Sequence, residues 1–216
     1  MAREGVITEF HSDLLKAVGR SPLKELFYLS GGTALAEFYL GHRYSEDLDF
    51  FTSIEMHLPK LPEILTEISK SVFAEIEIQR SFEHFAKAFF TRDNDTIATD
   101  WVCDTPFRLG KTLFDEELGI HYDDIDDIGA NKISALFDRA DIKDFVDLFF
   151  LDKEGYSFGN LFEKANEKHV GLDRLWMVYA LEQINHKEKL PRMIKPVSIE
   201  ELRDHFLKIA KELEVF

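Results

Sequence analysis

A single cysteine in 216 residues, Cys103, rules out an internal disulfide, and no cysteine pair offers zinc-binding spacing. Such a chain suits a reducing, cytoplasmic setting. No apolar run approaches the roughly 20 residues that a membrane-spanning helix needs, and the opening "MAREGVITEF" carries no signal-peptide core. A cytoplasmic protein with no membrane partner is therefore expected. Positive charge is also scarce. Against 41 Asp and Glu stand 26 Lys and Arg, a net charge of −15, which argues against a broad basic face for duplex DNA. The phosphate loops GxxxxGK[ST] and GxGxxG are both missing, and the histidines form no HExxH pair. The acids of "YDDIDDIG" fail the EF-hand spacing and suit a helix N-terminus instead.

What is present is material for a core: 45% of residues are hydrophobic and 20 are Phe, so disorder is not expected. "ITEFHSDLLKAVGR" has helical spacing, with Thr8 as N-cap. "ELFYLS" reads as a buried strand that stops at Gly31-Gly32, and "TALAEFYLG" as a helix closing on Gly41. "DLDFFT" returns to a strand, and residues 60–71 form an amphipathic helix with Pro62 in its first turn. "FAEIEIQRSF" is a strand, followed by two more joined at the turn "RDND". From about residue 127 the pattern is helical, with a break near Ala140-Asp141. Three further helices cover 157–168, 172–184 and 198–213, the last opening on a Ser198/Glu201 capping box. The expectation is an α+β fold: an α/β core over 1–126 and a helical region over 127–216.

The chemistry concentrates in "LSGGTALAEFYLGHRYSEDLDFF", residues 29–51. On a strand, Asp47 and Asp49 share one face while Leu48 and Phe50 turn to the core. Two ionised carboxylates about 4 Å apart repel by ~4 kcal/mol at an effective dielectric of ~20. A folded protein keeps such a pair when a proton, a cationic side chain or a metal lies between them. Hard cations such as Mg²⁺ or Mn²⁺ suit these oxygens, and a third carboxylate would complete a two-metal site. Asp100 in "TIATDWVCD" is the best third candidate, with Asp104 behind it. Gly31 and Gly32 lie where a helix N-terminus presents free N–H groups to a phosphate, and Thr33 adds a hydroxyl.

Taken together, "GGTALAEFYLGHRYSEDLDFF" resembles the nucleotidyltransferase signature of the polymerase-beta-like superfamily. More closely it resembles the AbiEii/AbiGii toxin family of abortive-infection and toxin–antitoxin systems. His42, Arg43, Ser45, Asp47, Leu48 and Asp49 match the family's His-Arg-x-Ser-x-Asp-Leu-Asp segment. In "NKISALFDRADIKDFVDLFFL", Lys132, Arg139, Lys143, Asp144 and Asp147 match its later motifs. The resemblance covers roughly residues 26–152. It implies a polymerase-beta-like core with a small mixed or antiparallel sheet and flanking helices.

It also implies a metal-dependent enzyme that moves NMP from an NTP to an acceptor hydroxyl. Asp47, Asp49 and Asp100 would hold Mg²⁺ or Mn²⁺, with Asp100 also placed to take the acceptor's proton. Gly31, Gly32, Thr33, Ser45 and Lys132 would bind the nucleotide. Arg43 is placed either to bind a phosphate or to brace Asp47. Lys132, Arg139 and Lys143, spaced by seven and four, can share a helical face, and Asp144 and Asp147 would orient that helix or its basic residues. The implied partners are an RNA acceptor, notably a tRNA 3′ end, and an antitoxin protein. An RNA groove would draw on Arg80, Lys87, Arg92, Arg108 and Lys111. The alternative is a silent nucleotide-binding module that acts through a protein partner.

Overall fold

The computed structural model describes residues 5–54, 61–103 and 107–214; Asp104 and Lys60 lie outside them. Helix α1 (Glu9–Gly19) starts where the Thr8 hydroxyl accepts the His11 N–H. The strand expected from Glu25 onward is shorter, because Pro22–Glu25 forms a 3₁₀ turn capped by Ser21. Strand β1 is Tyr28–Ser30. Helix α2 begins at Gly31 itself (Gly31–Ala34), runs on as a π-helix over Leu35–Leu40 and stops at left-handed Gly41. Then come β2 (Asp47–Thr52), α3 (Leu61–Ser71), β3 (Glu75–Ser81), β4 (Phe85–Arg92) and β5 (Asp95–Cys103). Asp93, at φ 57°, makes the two-residue turn between β4 and β5.

Strands β6 (Leu113–Asp115) and β7 (Ile120–Tyr122) were not expected; at three residues each they are too short to show a period. All seven strands form one sheet in the order β3-β4-β5-β2-β1-β7-β6. The β2–β5 and β1–β7 pairs are parallel and the other four antiparallel, so the sheet is mixed, as expected.

Alternation along the central strands separates core from chemistry. Leu48 and Phe50 of β2 and Trp101 of β5 are at most 1% exposed. Phe50 stacks on Trp101 with ring centroids 4.2 Å apart, and Phe27 meets the same indole edge-on. These residues join the inward positions of α1 (Phe10, Leu14) and α3 (Leu65, Ile68) in one apolar core. The opposite face of β2 and β5 carries Asp47, Asp49, Ala98 and Asp100.

The helical half comprises α4 (Ile125–Arg139), α5 (Ile142–Lys153), α6 (Phe158–Lys168), α7 (Arg174–Glu182) and α8 (Ile199–Glu214). Ala140, left-handed at φ 45°, ends α4, and Asp141 caps α5 by accepting the Lys143 N–H. The α8 capping box forms reciprocally: Ser198 N–H donates to Glu201 and Glu201 N–H to the Ser198 hydroxyl. Its residues share the core with those of the sheet.

The late segment between α7 and α8 also returns to the acidic strand's approach. Arg43 pairs with Met193, the Tyr44 N–H donates to the Arg192 carbonyl at 2.9 Å, and the Ile194 N–H donates to the His42 carbonyl at 2.9 Å. Among the described residues no helix is long and apolar enough to cross a membrane.

Candidate active site

Strand register brings Asp49 and Asp100 into one row, with Asp47 two residues along the same face. Asp49 of β2 lies opposite Asp100 of β5, Asp47 lies opposite Ala98, and Ser30 at the end of β1 flanks Asp49 on the other side. A cavity of about 260 Å³ opens over this row. Its wall includes Gly32, Arg43, Ser45, Asp47, Asp49, Asp100, Lys132, Arg139 and Lys143. Gly31 lies on an adjoining pocket that shares Gly32, Asp49, Lys132 and Arg139.

The two glycines are needed for closer reasons than phosphate approach. Gly31 has φ +70°, and a Cβ there would run into the Asp49 carboxylate. A Cβ on Gly32 would meet the Arg43 guanidinium. Thr33 is buried, and its hydroxyl serves the Ser45 hydroxyl (2.7 Å) and the Asp47 carbonyl. It pins the approach to β2 and stands behind the cavity wall instead of offering a free hydroxyl to a ligand.

Behind the cavity lies a buried ionic cluster. Asp147 of α5 accepts two hydrogen bonds from Arg43, at 2.7 and 2.9 Å, and a third contact from His42 Nε2 at 2.7 Å. Lys132 Nζ of α4 lies 2.7 Å from Asp147 and 3.0 Å from Asp144. Arg139 grips Asp144 at 2.8 and 3.0 Å. Arg43 therefore braces Asp147, and not Asp47, while still lining the cavity.

Asp144 and Asp147 of α5 hold Lys132 and Arg139 of α4; Lys143 lies on α5 beyond the break at Ala140, so the three basic residues do not share one helical face as their spacing had suggested. Burial alone would raise the Asp147 pKa, yet Arg43 and Lys132 hold it well below the usual carboxylate range. For Lys132, burial favours the neutral amine, but Asp147 and Asp144 outweigh it and keep the ammonium. His42 is driven down by burial and stays neutral despite its bond to Asp147.

Asp49 behaves in the opposite way. Burial, with Asp100 and Asp47 beside it, pushes its pKa up to about 6 in spite of Lys132. Burial is the larger cause, and a cation beside the carboxylate would favour its charged form. As hard oxygen donors the Asp47/Asp49 pair suits Mg²⁺ or Mn²⁺. Asp100 is already engaged: Lys87, opposite it in register on β4, places Nζ 3.0 and 3.3 Å from its two oxygens. Among the described residues, no group of three His, Cys, Asp or Glu side chains is set to hold a metal ion.

Lys87 and Asp141 line the cavity without having been assigned to it from the sequence. A strand period that puts Asp100 on the open face also puts Lys87 there, but only the β4–β5 register shows that the two meet. The other basic residues named for an RNA groove do not line up with Lys87. Arg92 is tied to Asp13 at 2.8 Å and lies over Phe10. Arg108 is held by Asp123 and Asp127 and lies over Tyr28, and with Lys111 it lines a different pocket. Arg80 is exposed on β3, the last strand of the sheet.

The acids of "YDDIDDIG" are structural. Asp124 caps α4, Asp127 accepts the Leu109 and Gly110 N–H groups together with Lys168, and Asp123 accepts from Ser30 and Arg108.

Residues 13–214 match the model of a family described as nucleotidyl transferase AbiEii toxin, type IV toxin–antitoxin system. The chain belongs to this AbiEii family. It is a nucleotidyltransferase by that membership. An uncharacterized protein of Aquifex aeolicus (strain VF5), aq_aa25, is 29% identical over 196 residues, 86% of this chain and 87% of that one. Two solved structures share the fold seen here. JHP933 from Helicobacter pylori superposes with a TM-score of 0.62 at 21% identity, covering 96% of this chain and 90% of its own. MenT4, a nucleotidyltransferase toxin from Mycobacterium tuberculosis H37Rv, gives 0.57 at 15% identity, over 95% and 82%.

Two substitutions test these electrostatics. Asp147→Asn strands Arg43 in the interior and leaves Lys132 with Asp144 alone, and denaturant unfolding should show a loss of about 3–5 kcal/mol. A change under about 1 kcal/mol would mean the cluster is not what holds α4 and α5 to the β2 approach. Asp49→Asn should act the other way. The folded chain bears the cost of an ionised Asp49 above about pH 6, and that cost disappears as pH falls towards the ordinary value of 3.8. Thermal unfolding of metal-free protein at pH 7.5 should therefore show a gain on the order of 1 kcal/mol, lower than the full shift because water enters the cavity. The gain should vanish near pH 4; a gain that persists there would have another cause.

Proposed function

We propose that this chain transfers a nucleotidyl group from an NTP to an acceptor hydroxyl at the cavity over β2 and β5, with a divalent cation held at Asp47 and Asp49. The observation that carries this reading is the group of Asp47, Asp49 and Asp100 on two adjacent parallel strands, facing Gly32 and Lys132 across one small polar cavity. Bound there, Mg²⁺ or Mn²⁺ would supply positive charge for the phosphates. Lys132, kept charged by Asp144 and Asp147, adds a fixed cation from α4, and Arg139 and Lys143 extend that positive side.

Asp100 accepts the proton of the attacking hydroxyl. The new bond forms at the α-phosphorus as its bond to the β,γ-phosphates breaks in line, and pyrophosphate leaves. Most of the acceleration comes from holding the reactants together and meeting the developing charge with groups already in place.

The acceptor we favour is RNA, such as a tRNA 3′ end. Support comes from a groove of about 520 Å³ beside the cavity, which shares Arg139 and is lined by the half-exposed rings of Trp176 and Tyr179 from α7. Exposed aromatic faces beside a guanidinium suit unpaired bases. Against a net charge of −15 such binding is local and does not depend on a basic surface. The family's place in type IV toxin–antitoxin systems supports a paired antitoxin, and a supply of NTP supports action in the cytoplasm.

Purified protein, total cellular RNA and Mg²⁺ or Mn²⁺, incubated with each NTP labelled at the α-phosphate, provide the test. Label should enter RNA, and Asp47→Ala or Asp49→Ala should reduce the rate at least about 100-fold. No label in RNA, or equal transfer by the variants, would reject this assignment.

A further inference from the structure

Asp100 already faces a cation that belongs to the chain. Lys87 stands directly across from it on β4, and Nζ lies 3.0 Å from one carboxylate oxygen and 3.3 Å from the other. Both side chains are 29% exposed, so the pair is neither free in solvent nor sealed in the core. The ammonium also lies 5.7 Å from the centre of the Phe89 ring, two residues along the same face of β4. On its other side Asp100 has Asp49 as its register partner.

The row across the sheet therefore runs cation, carboxylate, carboxylate: Lys87, Asp100, Asp49. A doubly charged ion bridging Asp100 to Asp49 would have to share the Asp100 oxygens with an ammonium already in contact with them, and like charges at that separation repel. Among the described residues no ion pair occupies the Asp47/Asp49 end: of the basic side chains lining the cavity there, Arg43, Lys132 and Arg139 are engaged by Asp147 and Asp144, and Lys143 makes no ion pair with either aspartate.

Resting on the nucleotidyl-transfer reading above, we propose that Lys87 replaces one of the two cations expected for such a site, so that the chain binds a single divalent ion, at Asp47 and Asp49. Lys87 and Asp100 then form the acceptor side. Asp100 takes the proton of the attacking hydroxyl while its oxygen bonds to the α-phosphorus and pyrophosphate departs. Lys87 holds the Asp100 carboxylate in place and faces the negative charge that grows on the attacking oxygen. No further co-reactant is required, since the proton, the new O–P bond and the leaving pyrophosphate account for the whole step.

The test counts ions. Titrate the full chain with Mn²⁺ alone and follow free Mn²⁺ by electron paramagnetic resonance, for wild type, Lys87→Met and Lys87→Arg, with circular dichroism confirming that each variant is folded. One Mn²⁺ per chain in wild type and Lys87→Arg, and two in Lys87→Met, is the expected result. Label transfer should then depend on the first power of Mn²⁺ concentration in wild type and on a higher power in Lys87→Met, whose rate should fall at least about tenfold at limiting Mn²⁺. Two ions in wild type, or one in both wild type and Lys87→Met, overturns the proposal, and with label transfer intact the nucleotidyl-transfer reading survives it. No ion in wild type removes the proposal together with the metal reading.

Discussion

The carboxylate of Asp147 is fully buried and touches three basic side chains from two other parts of the chain, His42, Arg43 and Lys132. A charge in that position is tolerated only with its partners in place, because burying an ion without them costs several kcal/mol. The constraint works in both directions. Helix α5 cannot leave without stranding Arg43, and the approach to β2 cannot move without stranding Asp147. Asp47 and Asp49 begin a few residues after that approach, so their position is inherited from a contact 104 residues away in sequence.

The same cluster gives the cavity its polarity. Lys132 and Arg139 are held as cations by Asp144 and Asp147, so the positive side is in place without a ligand. On the negative side no ion pair among the described residues neutralises Asp49, whose pKa is displaced upward by burial and by Asp100 and Asp47 in spite of Lys132 and Lys87. A cavity with one satisfied wall and one unsatisfied wall is built to receive charge. Segment 192–195 closes the back of this arrangement through backbone bonds to His42 and Tyr44, which gives the late part of the chain a share in positioning the site.

Much of this was legible in the sequence where local rules suffice. Alternation in "DLDFF" separates Asp47 and Asp49 from Leu48 and Phe50, and an aspartate on an apolar strand singles out Asp100. The Thr8 and Ser198 caps and the break at Ala140-Asp141 follow from side-chain chemistry within a few residues. Three things were not legible. Strands β6 and β7 are held by pairing and not by their own pattern. The partner of Arg43 depends on how α5 packs, and the sequence offers only a phosphate or Asp47 until that packing is known. Lys87 stood only among the basic residues of an RNA groove, since the β4–β5 register alone sets it against Asp100.

The account places nucleotide, divalent ion and acceptor proton in one cavity, and a crystal of the chain with Mn²⁺ and a non-reactive NTP analogue examines that claim most directly. Anomalous scattering should show Mn²⁺ against Asp47 and Asp49, with the triphosphate running past Gly32 towards Lys132 and Lys87 still on Asp100. A nucleotide and ion bound away from these aspartates would contradict it.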